Sequence, residues 1–390
     1  MSHYNTIYNQ LLHLIPRHKF ESLVKTYNGD YYVKYFTSWQ QFITLLYAQI
    51  RNKDSLRDII TSLNVQVSIW YHIGLKKICR STLSDANNRR EYRIFEGIFY
   101  ELLSRCKDIT PKHKFKFKNP LYTLDSTVID LCLSLFPWAK FRKTKGALKL
   151  HYLYDHSGAI PTFLVITDAR QQDIKVAREE NIPLLSDSIL SIDRAYIDFK
   201  WLYLLGKKKV FFVIRLRKNI KYEIIGQHKV EEMNKKMGVL EDLIIKIGTK
   251  EKRKDYPDDL RLVRFKDEET KREFIFLTNN FKLSPYTIAQ IYKARWQIEL
   301  FFKWIKQNLK IKSFLGVSKN AVLTQIWIAM CYYLLLSYIK YQTKYRYSLL
   351  ELTRILQEVI FIRVSLVDIL SLNSYTIHKI RDPVSQLALF

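Results

Sequence analysis

The run from Ile291 to Lys312, IYKARWQIELFFKWIKQNLKIK, constrains what this chain can fold into more than any other stretch. With about 100° between successive residues of an α-helix, Ile291, Ala294, Ile298, Phe301, Phe302, Ile305 and Leu309 gather on one arc. A helix patterned in this way must lay that arc on a core. Tyr292, Arg295, Glu299 and Lys306 stand at offsets of 0, 3, 7 and 14. These offsets nearly complete whole turns, so the four side chains share a separate stripe within roughly 60° of one another. A carboxylate among two cations and a phenol can hold a divalent metal while its neighbours bind phosphate. A solvated amphipathic helix shows the same broad pattern, so the stripe gains meaning only if further acids stand upstream.

Two aspartates stand in suitable surroundings. YTLDSTVIDL, residues 122–131, sets β-branched and apolar residues on either side of Asp125 and predicts a strand. Asp130, five positions on, should point to the opposite face. A basic turn leads to a second strand, ALKLHYLYD, and AIPTFLVITDA follows His156-Ser157-Gly158 as a third, which predicts an antiparallel meander. A helix over 175–185 precedes a buried strand, SILSIDRAY, that ends in Asp193. KVFFVIRLR, residues 209–217, completes a five-stranded sheet. LEDLIIKIG, LRLVRF and REFIFLTN predict a β-rich insertion over 220–280, within the 106 positions that separate Asp193 from Glu299.

Tyr, two residues, Arg, three residues, Glu, six residues, Lys matches the signature of the IS4 family of insertion-sequence transposases. Asp193-Arg194-Ala195-Tyr196 fits that family's second motif of Asp, any residue, Gly or Ala, then Tyr or Phe. The chain therefore resembles an IS4-type DDE transposase. The resemblance implies an α/β catalytic core over 116–315, ribonuclease H-like (retroviral-integrase-like), whose β-rich insertion helps grip the transposon end. It implies that Asp125, Asp193 and Glu299 form an Asp-Asp-Glu site for two Mg²⁺ ions, with Mn²⁺ as a substitute. Tyr292, Arg295 and Lys306 would bind DNA phosphates. The implied function is cut-and-paste transposition on double-stranded DNA, transposon ends and target alike, by a homodimer. Two alternatives stay open: a ribonuclease H-like nuclease or resolvase without strand transfer, and a DNA-binding remnant without catalysis.

Charge agrees with a polyanionic partner. Against 37 Asp and Glu the chain carries 64 Lys and Arg, a net charge of +27, which suits nucleic acid or an anionic membrane. Residues 1–110 read as a small helical domain with a DNA-binding role, with helices over 36–50, 55–63 and 88–103 and stop and start signals in RSTLSDANNRR, residues 80–90. Arg89, Arg90 and Arg93 would open a helix facing phosphates, or else a solvated face. The run from Phe36 to Asn87 also resembles the amino-terminal domain of a subgroup of IS4-type transposases. KDITPKHKFKFKNP, residues 107–120, reads as a linker, and 316–390 as C-terminal helices that pack on the core or mediate assembly.

Other classes find less support. Ala321 to Ile339 runs nineteen residues without a formal charge and approaches membrane-spanning length, but reads as a buried core helix. With no basic start and apolar run at the N-terminus, a cytoplasmic, nucleoid-associated protein without a membrane is expected. Cysteines at 79, 106, 132 and 331 are too scattered for a zinc ribbon. Asp155, Asp168, Asp173, Asp187 and Asp198 read as turn or strand-end residues, His151 and His156 lack partners at zinc spacing, and Trp296 and Trp304 read as packing residues. No Gly-rich phosphate loop is present among the 10 glycines.

Overall fold

The computed structural model describes residues 5–140, 142, 145–216, 220–248 and 252–371. The chain divides into two compact units, Met1–Thr110 with Asn308–Phe390, and Pro111–Gln307.

The first unit opens with seven helices: α1 Ile7–His13, α2 Arg17–Thr26, α3 Ser38–Ile50, α4 Leu56–Asn64, α5 Val67–Ile73, α6 Arg80–Arg89 and α7 Arg93–Ile109. The start of α3 follows from a capping box, in which Thr37 accepts from the Gln40 amide and the Gln40 side chain returns to the Thr37 amide. The stretch 80–90, read for its stop and start signals between helices, itself forms α6 as far as Arg89. Its buried residues are only Leu83, Ala86 and Asn87, too few to give a legible apolar period among so many hydroxyl and amide side chains. Arg90 also departs from expectation. It is buried, and its guanidinium donates to the carbonyls of Gly29 and Thr37 at 3.1 Å each, to Gln41 Oε1 at 3.2 Å and to the Phe36 carbonyl. The side chain therefore ties down the 29–37 loop, while Arg89 and Arg93 remain exposed.

The second unit is built on one nine-stranded sheet in the order β3-β2-β1-β4-β5-β9-β8-β7-β6. Its strands are β1 Leu121–Leu131, β2 Gly146–Asp155, β3 Ile160–Asp168, β4 Ile189–Ile192, β5 Phe211–Arg215, β6 Tyr222–Gln227, β7 Val239–Ile247, β8 Leu260–Lys266 and β9 Glu273–Thr278. The meander expected from the short turns is present: β1 pairs antiparallel with β2, and β2 with β3. β4 and β5 then join on the other side of β1 in parallel. The expected β-rich insertion is continuous with this sheet, because β9 pairs with β5 through Val213↔Thr278.

Helices enter this unit at α8 Asp173–Glu179, α9 Phe199–Lys207, α10 Glu232–Lys236, α11 Pro285–Ala294 and α12 Trp296–Asn308. Trp201, Leu202 and Leu205 of α9 pack with Leu190, Ile192, Phe212 and Ile214, and Ile288, Ala289 and Ile291 of α11 pack with Leu121, Ile189 and Val213. Adjacent strand residues point to opposite faces, so the two helices cover opposite sides of the sheet. The helix read over 175–185 is shorter and earlier than expected. The single helix read over 291–312 begins at Pro285, is interrupted at Arg295 and stops at Asn308.

The chain ends its described part with α13 Lys319–Gln342, α14 Leu349–Val359 and α15 Leu366–Ser371, which belong to the first unit. The apolar run at 321–339 lies in α13. An 18-residue window of that helix has a mean hydropathy of 1.6 and is 94% buried in protein, with Trp327 set 5.3 Å from Phe99 of α7. An all-round apolar surface is satisfied by a central position in a helical unit. The helices expected over 372–390 lie outside the described residues.

Candidate active site

Sheet register brings the two aspartates together. Leu124 of β1 stands beside Ile192 of β4 in parallel pairing, so the next residue on each strand, Asp125 and Asp193, projects at neighbouring positions. Asp193 lies just past β4, at the head of a short 3₁₀ turn, Arg194–Tyr196. Asp193 thus stands at the carboxyl end of β4, where parallel sheets place polar chemistry, while Asp125 lies within β1, one residue past its last pairing with β4. Asp125 Oδ1 accepts from the Ser126 amide at 2.8 Å. Burial pushes the Asp125 carboxyl up to about 6, with Asp193 and Asp173 adding to the rise and the Ser126 amide and Arg295 opposing it. Asp130 is exposed, as strand alternation requires.

Aromatic packing fixes the helix that carries Glu299. Phe301 and Phe302 lie 5.2 and 5.7 Å from the ring of Tyr152, and Phe301 lies 5.5 Å from Tyr154. Tyr152 is the cross-strand partner of Asp125, so the same face of the sheet holds both the anchor of α12 and the first acid.

Arg295 joins the acids across this arrangement. Its Nη1 donates to Asp125 Oδ2 at 2.9 Å and its Nη2 to Glu299 Oε1 at 2.6 Å. Burial works against the guanidinium charge, yet Asp125, Tyr292 and Glu299 hold its pKa above the ordinary value. The Tyr292 hydroxyl donates to Asp193 Oδ1 in a long contact of 3.3 Å, and its ring rests 4.9 Å from Phe276. The break at Arg295 keeps helical dihedrals, φ −51° and ψ −31°, and therefore preserves the stripe. Lys306, partly buried, follows Glu299 by seven residues, about 10 Å along the helix. Trp296, expected to pack, is instead 57% exposed. Trp304 is partly buried.

A fourth acid enters that sequence reasoning treated as a turn residue. Asp173, the first residue of α8, accepts from Ser126 Oγ at 2.6 Å and lies 3.4 Å from Lys149 Nζ and 3.5 Å from His151 Nδ1. Burial pushes His151 down to about 4. The β1–β2 register sets Ser126 opposite His151, a pairing open to discovery once both strands are aligned. Tyr196, the last residue of the second motif, buries a hydroxyl that has no hydrogen-bond partner among the described residues. Burial first, then Asp173, Asp125 and Asp193, raise its pKa well above the ordinary value. By contrast Asp155 and Asp198 have the local roles expected of them, accepting from the Ser157 amide at 2.7 Å and the Trp201 amide at 2.8 Å.

As the side chains stand, no three His, Cys, Asp or Glu residues converge on one point among the described residues. The guanidinium of Arg295 lies between Asp125 and Glu299 and supplies the positive charge there. Hard carboxylate oxygens facing a common cation are donors of the type a divalent ion takes.

Comparison with known proteins agrees with this chemistry. The family described as Transposase DDE domain matches residues 116–335, more than half of the chain, and spans every candidate residue from Asp125 to Lys306. The chain belongs to the DDE transposases. It is therefore a DNA transposase, an enzyme that cleaves DNA and transfers its strands with divalent metal. Residues 3–76 of the transposase match a domain of unknown function, DUF4372. A protein named as a transposase, y4zB of Sinorhizobium fredii, is 35% identical over 257 residues, 65% of this chain and 69% of that one. A protein named as the transposase for insertion sequence element IS5377 of Geobacillus stearothermophilus is 30% identical over 275 residues, 70% of each chain. A solved structure of the piggyBac transposase synaptic complex with hairpin DNA aligns with a TM-score of 0.46 and 11% identity, over 96% of this chain and 80% of that one.

Proposed function

We propose that this transposase performs cut-and-paste transposition at Asp125, Asp193 and Glu299, on a ribonuclease H-like core. The observation that carries the reading is the network in which Arg295 bridges Asp125 and Glu299 while Tyr292 reaches Asp193. Acids from a strand, the end of its parallel neighbour and a helix thereby share one pair of hydrogen-bonding partners. The strand order 3-2-1-4-5, with β2 antiparallel to β1, supports the ribonuclease H-like assignment.

The three carboxylates would hold two Mg²⁺ ions, or Mn²⁺ in their place, once Arg295 swings off Asp125 and Glu299. Bound there, such ions lower the pKa of an attacking water or 3′-hydroxyl and stabilise the leaving oxygen. Burial pushes the Tyr292 phenol up to about 12 and its hydroxyl donates to Asp193, so it is a poor nucleophile, and the work of the chain in this network is to position and to neutralise. Arg295 and Lys306 take DNA phosphates, and Tyr292 steadies Asp193 or a phosphate oxygen. Two transposon ends must be held together for excision, which calls for a homodimer in the active complex. The excess of basic residues and the burial of α13 suit a protein that works on the nucleoid.

Duplex DNA taken from the flanks of the reading frame tests the proposal. Incubation with the protein and Mg²⁺ should nick at one position near each end and join the new 3′-end to a second duplex. Cleavage without joining would support a nuclease or resolvase instead. Cleavage that survives Asp125→Ala would remove the assignment of the acids.

A further inference from the structure

The first unit contains a groove of 930 Å³ whose walls the catalytic chemistry does not use. One wall is the loop that follows α2, which carries Tyr31, Tyr32 and Tyr35, exposed by 69%, 87% and 76%. Apolar rings of this size gain by leaving water, and three of them stand in solvent on one short loop. Tyr32 holds a φ of 56°, a backbone conformation that a bulky residue adopts only under strain. Its ring lies 4.3 Å from that of Tyr31, edge to face.

The loop is held in place from beneath. Arg90 binds the carbonyls of Gly29, Phe36 and Thr37 and stands 3.8 Å from Asp30, whose carboxylate also accepts the Ser38 amide at 2.6 Å. Gly29 permits that closeness, since a Cβ there would meet Ile94 Cδ1 at 2.5 Å. The rings are thus displayed on a braced support. The groove also receives the exposed side chains of Lys34, Lys76, Lys77 and Arg89, against the carboxylates of Asp85 and Glu91. Cations along a channel with aromatic faces between them form the combination that takes unpaired nucleic acid, phosphates on the cations and bases on the rings.

We infer that this groove binds a single-stranded stretch of DNA, with bases stacked on Tyr31, Tyr32 and Tyr35 and phosphates held by Lys34, Lys76, Lys77 and Arg89. The inference rests on the chain acting on DNA but not on the assignment of Asp125, Asp193 and Glu299. It gives a role to a region whose matching family carries no assigned function.

Fluorescence anisotropy on the full chain in EDTA tests it, with a blunt duplex and the same duplex carrying a short oligothymidine overhang. The wild type should bind the overhang DNA more tightly. Tyr32→Ala and Tyr35→Ala should each weaken overhang binding by roughly fivefold or more and leave the blunt duplex within about twofold. Tyr35→Phe should keep the preference, because stacking needs the ring and not the hydroxyl. Replacing Lys76 and Lys77 together by Ala should reduce the slope of log affinity against log salt by about 1.4 on the overhang DNA. Equal binding of the two DNAs by the wild type, or tyrosine variants that weaken both equally, would overturn the inference. Glu299→Gln should retain the overhang preference while cleaving nothing, which separates failure of this groove from failure of the catalytic assignment.

Discussion

Arg295 donates to Asp125 across 170 residues of chain at 2.9 Å, with 13% and 20% of the two side chains exposed. A guanidinium so placed opposes, together with the Ser126 amide, the rise that burial imposes on the Asp125 carboxyl. Removing it leaves Asp125 and Glu299 partly buried without their counter-charge. Arg295→Ala should cost on the order of 3 kcal/mol in EDTA, and Mg²⁺ should raise its melting temperature more than it raises that of the wild type. Thermal melts of both proteins with and without Mg²⁺ check this. An equal Mg²⁺ response would mean that Arg295 and the metal do not compete for the same carboxylates.

The acids themselves should separate catalysis from binding. Alanine at Asp125, Asp193 or Glu299 should lower metal-dependent nicking by more than about a hundredfold while DNA affinity in EDTA stays within a few-fold. Gel-based nicking and anisotropy on one set of proteins measure both. A variant that nicks at close to the wild-type rate would exclude that residue from the site.

Aromatic packing under α12 makes a prediction about position. Phe301 is 5% exposed and touches Tyr152 and Tyr154, so Phe301→Ala should cost about 3–5 kcal/mol in denaturant unfolding. It should also reduce nicking at temperatures where the protein stays folded, because Glu299 loses its fixed distance from Asp125. Phe301→Leu, which restores most of the apolar volume, should recover most of both.

The arc that buries Phe301 was legible in the sequence, since helical spacing of apolar residues needs no tertiary knowledge. The strands around Asp125 and Asp193 were legible from their short β-branched and apolar runs, which are equally local. Three things were not. Whether Arg295 faces a phosphate or a carboxylate depends on what approaches it, which periodicity cannot encode. Arg90 looked like one of three equivalent surface cations, and only the closure of the 29–37 loop makes it a buried brace. Asp173 lay outside every motif, and its approach to Ser126 arises from how α8 returns to the sheet. Local patterns recorded the elements, whereas ion pairs that join distant parts of the chain depended on the assembled fold.

Stability should depend on pH through His156. Burial, reinforced by His113, pushes its pKa down to about 4, with its Nε2 2.8 Å from Thr123 Oγ1. Because an unfolded histidine titrates near 6.5, the unfolded chain binds more protons between about 4 and 6.5. The contribution is fully present above about pH 6.5 and is lost as pH falls toward about 4, a change on the order of 3 kcal/mol. His151, pushed down to about 4 as well, acts in the same direction. Urea unfolding between pH 4 and 7 should therefore show a shallower pH dependence for His156→Gln than for the wild type. Parallel curves for the two proteins would contradict the buried neutral imidazole.

The last expectation separates roles along the helix. Lys306 shares a stripe with Glu299 two turns away, and a cation there adds to affinity for DNA by releasing counterions. Lys306→Ala should weaken end binding and reduce the slope of log affinity against log salt by roughly 1 for each phosphate that the lysine had neutralised. Arg295→Ala should do the same only if the guanidinium leaves Asp125 and Glu299 for a phosphate when DNA binds. If it stays on the carboxylates, its charge is already neutralised and the slope should not move. Glu299→Gln removes an anion near the phosphates, so its slope should be kept or slightly increased while metal-dependent cleavage falls. Salt titrations of end-DNA binding without metal, run on the three variants side by side, distinguish these outcomes. Unchanged slopes for both Arg295→Ala and Lys306→Ala would mean that neither cation of the stripe neutralises a phosphate, with the DNA held elsewhere on the chain.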